Sequence, residues 1–96
     1  MQITRQADYA LRAILYLARH ESTKHEDNWK PTTTSRIAKA KLIPTSFLAK
    51  IISQLKTSGL INTSRGASGG VTLAKKPEEI SLLDVVEAID WTVSSV

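Results

Sequence analysis

Apolar residues recur every three to four positions along most of this chain, and one short stretch switches to a shorter period. The clearest helical pattern lies between Thr33 and Leu60. There Leu48, Ile51, Ile52 and Leu55 fall at i, i+3, i+4 and i+7 and form one apolar stripe. The opposite face carries Ser46, Lys50, Ser53, Lys56 and Thr57, which are small, polar or basic. Pro44 suits the first turn of this helix, where a missing N–H costs nothing. Gly59 suits the position just past its end, where φ is often positive. Upstream, Ile37, Ala38 and Leu42 predict a shorter helix that packs against the same stripe. Two helices joined by a tight turn form a helix-turn-helix, the geometry that sets a second helix in a DNA major groove. A plain αα-hairpin has the same pattern, so the rest of the chain must separate the two readings.

Before this unit, Met1 to Ser22 reads as a helix with Thr4 as its N-cap. Ala7, Leu11, Ile14, Leu15 and Ala18 make its expected buried stripe, and Arg5, Arg12 and Arg19 share another face. Glu21 to Thr33 is polar apart from Trp29 and reads as a loop, with Trp29 covering a core edge. After Gly59 the pattern changes. Leu60–Ser64 and Val71–Ala74 are short and rich in β-branched residues, and Arg65 to Gly70 between them reads R-G-A-S-G-G. This predicts a hairpin whose tip carries Arg65, Gly66, Ser68, Gly69 and Gly70. A helix-turn-helix followed by such a hairpin is a winged helix, and Arg65 is placed for the minor groove, whose negative potential attracts it. Ser81 and Asp84 form an S-x-x-D capping box that opens a last helix with Leu82, Leu83, Val86 and Ile89 as its stripe. Asp90 to Val96 shows no clear pattern. The expected fold is mainly α with a small β-hairpin, a winged helix-turn-helix over residues 1–90. Residues 91–96 form a C-terminal tail that opens a dimerisation or sensor region.

Charge sharpens this picture more than composition does. The chain has 96 residues, enough for one domain, and its 42% apolar share is ordinary. Net charge is +4, but its distribution is uneven. Between Asn28 and Pro77 there is no acidic residue and there are nine basic ones: Lys30, Arg36, Lys39, Lys41, Lys50, Lys56, Arg65, Lys75 and Lys76. The flanks hold all nine acids. A block of one sign coinciding with the helix-turn-helix is the footprint of a polyanion partner.

Other chemistries find little support. There are no cysteines, which excludes a disulfide framework, a thiolate metal site and a cysteine nucleophile. That usage suits the cytoplasm. No apolar run approaches the roughly 18 residues that span a membrane, and no signal peptide opens the chain. His20, His25, Glu26 and Asp27 lack the spacing of a metal motif, so no metal site is assigned. The glycine loop does not match a nucleotide-binding fingerprint and leads into a strand, leaving no helix N-terminus for a phosphate. No nucleophile and base can be paired, and the chain is not expected to be an enzyme.

In this order, four runs resemble the Rrf-two family of bacterial winged-helix transcription regulators. They are D-Y-A-L-R-A-I-L-Y-L-A (8–18), R-I-A-K-A-K-L-I-P-T-S-F-L-A-K-I (36–51), L-K-T-S-G-L-I (55–61) and R-G-A-S-G-G-V-T-L-A (65–74). P-E-E-I-S-L-L-D-V-V-E-A-I-D (77–90) also matches. The resemblance implies a homodimer that reads a palindromic site on double-stranded DNA. It maps the start of the recognition helix to Pro44, Thr45, Ser46, Phe47, Ala49 and Lys50, and the wing arginine to Arg65. Some members carry a glutamate where this chain has Ala49, which implies a different base preference here. Family members usually continue into a long dimer helix, and many hold an iron–sulfur cluster on three cysteines. This chain has none, so no cofactor is assigned to it. Asp8 sits where a few members place an additional cluster ligand; here a solvated or capping role is expected.

These readings define two candidate functions. In the first, a sequence-specific repressor, Thr45, Ser46, Phe47 and Lys50 face base edges. Arg36, Lys39, Lys41 and Lys56 hold phosphates, and the wing enters the minor groove. In the second, the winged helix has lost DNA and binds a protein, which would call for an apolar or mixed surface.

Overall fold

The computed structural model describes residues 3–64 and 70–94, with side chains as far as Ile89. The order is α1 (Arg5–Ser22), α2 (Thr34–Lys41), α3 (Thr45–Thr57), β1 (Ile61–Thr63), β2 (Val71–Leu73), a 3-10 turn (Pro77–Glu79) and α4 (Leu82–Ser94). This is the expected winged helix-turn-helix. The caps form as the sequence signals. The Ala7 N–H donates to Thr4 Oγ1 at 3.1 Å. The Asp84 N–H donates to Ser81 Oγ and the Ser81 N–H to the Asp84 carboxylate, each at 3.0 Å. Gly59 has φ +80 just past α3, a conformation that costs glycine little.

The α3 stripe is fully interior: Leu48, Ile51, Ile52 and Leu55 are all buried. Each such side chain contributes roughly 1.5–3 kcal/mol. Ile37 and Ala38 of α2 join the same core. Leu42 does not. It takes a left-handed conformation (φ 56, ψ 44) as the cap of α2 and is 88% exposed, while Ile43 is buried in its place. The reversal of the chain that lets the Ile43 N–H reach the Ala38 carbonyl at 2.9 Å turns residue 42 outward.

α1 packs against α2, α3, α4 and β2. Its buried residues are Ala7, Ala10, Ala13, Ile14 and Leu17, so the expected stripe is rotated. Leu11 and Ala18 are half-buried and Leu15 is exposed. Alanines face inward because four elements crowd one helix, and small side chains permit that approach. On α4, which packs against α1 and α3, Val85, Val86, Ala88 and Ile89 are buried, whereas Leu82 and Leu83 of the expected stripe stay exposed. The backbone helix runs on to Ser94, through the part of the tail that showed no pattern in sequence.

The hairpin is antiparallel, with Ile61 opposite Leu73, Asn62 opposite Thr72 and Thr63 opposite Val71. Its outer edge is closed in an unusual way. The Val71 N–H donates to the Thr32 carbonyl at 2.8 Å, an isolated bridge. Two residues on, the Leu73 N–H donates to the Glu21 carboxylate, also at 2.8 Å. A third strand of one residue is thus continued by a carboxylate, which satisfies an edge that would otherwise stand open.

Candidate nucleic-acid interface

α3 carries the polar surface that the helix-turn-helix presents. With Leu48, Ile51, Ile52 and Leu55 inward, helical spacing turns Ser46, Lys50, Ser53 and Thr57 outward. All four are exposed, as are Thr45, Ala49 and Lys56. The α3 N-terminus has a further property. Pro44 stands at the N-cap, one position before the first turn expected from sequence, and no side chain caps the helix. The first turn holds no acid either. Its N–H groups and the positive end of its dipole are therefore left for an outside acceptor.

Phe47 departs from the expected set. It is half-buried against the core, and its ring meets Tyr9 edge-on with centroids 5.4 Å apart and planes at 89°. At i−4 from Ile51 it continues the inner stripe. Its ring therefore braces α3 against α1 and is only partly exposed. The phosphate candidates also divide. Arg36, Lys39 and Lys56 are exposed, and none is in an ion pair among the described residues, where the salt bridge is Arg12 to Asp8 at 3.2 Å. Lys41 is half-buried and lines a cleft of about 320 Å³ with Tyr16, Arg19 and His20. It faces the α1 side of the helix pair.

The hairpin packs on α1 through β2 and on α3 through β1, and its base lies near the start of α2. A cleft of about 300 Å³ between them is lined by the hydroxyl residues Thr33, Thr34, Ser35, Thr63 and Ser64 and by Gly70 and Val71. Gly70 is required by proximity: a Cβ there would lie 2.5 Å from Pro31 Cβ and 3.0 Å from the Thr32 carbonyl oxygen. Its N–H donates to Ser64 Oγ at 3.0 Å. The remaining wing candidates, Arg65, Gly66, Ser68 and Gly69, lie outside the described residues. Sequence reasoning missed Glu21 and Thr32, which position the wing. Neither carries a local signal, because the partner of Glu21 lies 52 residues away.

The polar loop forms no obvious ligand set. His20 Nε2 lies 2.6 Å from the Lys30 carbonyl oxygen. Trp29 Nε1 donates to the His20 carbonyl at 2.9 Å, so Trp29 closes the end of α1. Among the described residues no three His, Cys, Asp or Glu side chains gather where they could hold a metal. Asp8, the position of interest for cluster ligation, is paired with Arg12. With no cysteine in the chain, the residues present do not fit an iron–sulfur cluster held on three cysteines. Among the described residues no helix is long and apolar enough to cross a membrane.

Comparison with known proteins gives a consistent answer. The chain is 40% identical over 87 residues to the HTH-type transcriptional regulator NsrR of Shouchella clausii, covering 91% of this chain and 54% of that protein. It is 38% identical over 96 residues to NsrR of Geobacillus kaustophilus, covering all of this chain and 61% of the relative. The chain thus spans little more than half the length of these relatives. Among solved structures, CymR, the global cysteine regulator of B. subtilis, superposes with a TM-score of 0.80 at 28% identity, covering 94% of this chain and 65% of that one. IscR of T. potens superposes at 0.78 and 23% identity, over 99% of this chain and 72% of its own, which speaks to the fold. The Rrf2 family model, described as iron-dependent transcriptional regulator, matches residues 3–96, and the chain belongs to the Rrf2 family.

Proposed function

We propose that this chain is the DNA-binding part of a bacterial transcription regulator that binds specific duplex sequences, acting as a repressor in the cytoplasm. The observation that carries this reading is the outer face of α3: exposed, acid-free, basic, and ending in an uncapped N-terminus. Such a terminus is suited to phosphate oxygens or base acceptors. The names of its relatives support the same assignment and point away from an enzyme. Thr45, Ser46 and Lys50 read bases. Arg36, Lys39 and Lys56 hold phosphates, with Lys41 at the edge of that surface, and Arg65 at the wing enters the minor groove. Residues 1–90 form this DNA-binding unit, and residues 91–96 open a dimerisation or sensor region. A homodimer fits a palindromic site. The exposed Leu15 of α1 and Leu82 and Leu83 of α4 supply apolar surface on two helices that pack together.

Titration against DNA selected from a random pool, repeated at several salt concentrations, tests the reading. Lys56→Ala is expected to weaken binding similarly on all sequences and to lower the salt slope by about one unit. Ser46 and Lys50 variants are expected to change which sequence is preferred. Binding that is absent, or indifferent to salt, would favour a winged helix that serves protein contacts.

A further inference from the structure

Leu42 is held in two unfavourable conditions at once. Its left-handed backbone (φ 56) is one that a branched L-residue adopts at a cost, whereas glycine or asparagine adopts it readily. Its side chain is 88% exposed. Among the described residues Asn28 is the other non-glycine with positive φ, and asparagine tolerates it. The turn itself makes no use of the leucine side chain. The Leu42 and Ile43 N–H groups reach the Ala38 carbonyl through the backbone alone, and Ile43 supplies the core contact.

The position narrows the explanation. Five large apolar residues are exposed among those described: Ile3, Leu15, Leu42, Leu82 and Leu83. Four precede or lie on α1 and α4. Leu42 alone falls in the acid-free basic segment, three residues before Thr45 and the open end of α3. Three residues of chain span at most about 11 Å, so Leu42 stands beside whatever this helix end enters. An outward apolar side chain among cations calls for a partner that is anionic overall and apolar at one spot. In a major groove the thymine 5-methyl is that spot.

Building on the DNA-binding reading, we propose that Leu42 is a specificity residue that covers a thymine methyl at the edge of the half-site. Backbone strain observed in the free chain is thereby matched to a contact made only in the complex.

Thermal melts and titrations on the selected operator test this with Leu42→Gly and Leu42→Asn, both compatible with the left-handed turn. Each variant is expected to keep or raise Tm. Each is expected to bind the operator about fourfold more weakly, with an unchanged salt slope. Deoxyuridine at one thymidine should cost the wild-type protein the same factor and cost Leu42→Gly nothing more. The proposal is overturned if no thymidine is sensitive to this replacement in the wild type, a result that needs no variant. It is also overturned if the losses from variant and replacement multiply at every thymidine, or if the variants bind DNA as wild type but lose self-association. The Lys56 salt slope reports separately on the DNA-binding reading, so the two can fail independently.

Discussion

α3 and α4 are both 13 residues long, yet they begin in opposite ways. α4 opens with a closed capping box, in which Ser81 and Asp84 satisfy each other's N–H groups, and carries an acid in its first turn. α3 opens at Pro44 with neither. Their apolar residues differ in the opposite sense. All four stripe residues of α3 are buried, while α4 leaves Leu82 and Leu83 exposed. One helix is complete at its terminus and unfinished on its side. The other is complete on its side and unfinished at its terminus. A missing cap and a missing acid each forgo stabilisation at the same point. They leave a positive, donor-rich helix end where the surrounding segment is already basic.

This contrast can be broken at several points. The largest effect is expected from the stripes. Ile51→Ala should cost about 2–5 kcal/mol in denaturant melts, whereas Leu83→Ala should change stability by less than about 0.5 kcal/mol. A comparable loss at both would mean that the α4 leucines are covered in the protein as it exists in solution. A smaller effect is expected at the open terminus. Pro44→Asp would add a cap and a negative charge while giving up the rigidity of proline, so stability should move by no more than about 1 kcal/mol. DNA affinity should fall by about tenfold or more, since the charge opposes phosphate at close range. Stronger DNA binding in this variant would refute the role given to the uncapped end.

The smallest effects belong to the α4 box. Ser81→Ala should cost about 1 kcal/mol. The Ser81 N–H, bonded to the Asp84 carboxylate, holds that carboxyl below its ordinary value, with the Ser81 hydroxyl and Lys75 acting in the same direction. Because the folded value is the lower one, the stabilisation is present above the unfolded carboxyl value of about 4. It is lost as pH falls through the folded value. Asp84→Asn should remove that part of the acid dependence and leave the neutral-pH behaviour of α3 untouched.

Local signals made the helix-turn-helix readable. The α3 stripe, Gly59 after α3 and the S-x-x-D box each act within one or two turns, so residue spacing alone carries them. The exposed candidates Thr45, Ser46, Lys50, Arg36, Lys39 and Lys56 follow from the same spacing, because knowing the buried face of a short helix names the other. Phe47 lies at the margin of the stripe, and only the presence of Tyr9 sets its ring half-buried against α1.

What the sequence determined by itself was the set of elements, their order, the caps at Thr4 and Ser81 and the sign of charge on the middle of the chain, since these depend on neighbours a few residues apart. The tertiary structure alone decided which face of α1 is inner, because that helix is apolar on more than one side and the elements crowding it select the alanines. It decided that Glu21 and Thr32 complete the wing edge and that Gly70 must lack a side chain beside Pro31. It also decided that Leu42 faces outward. Each of these rests on contacts between distant segments or on a single backbone rotation, and neither leaves a periodic trace along the chain.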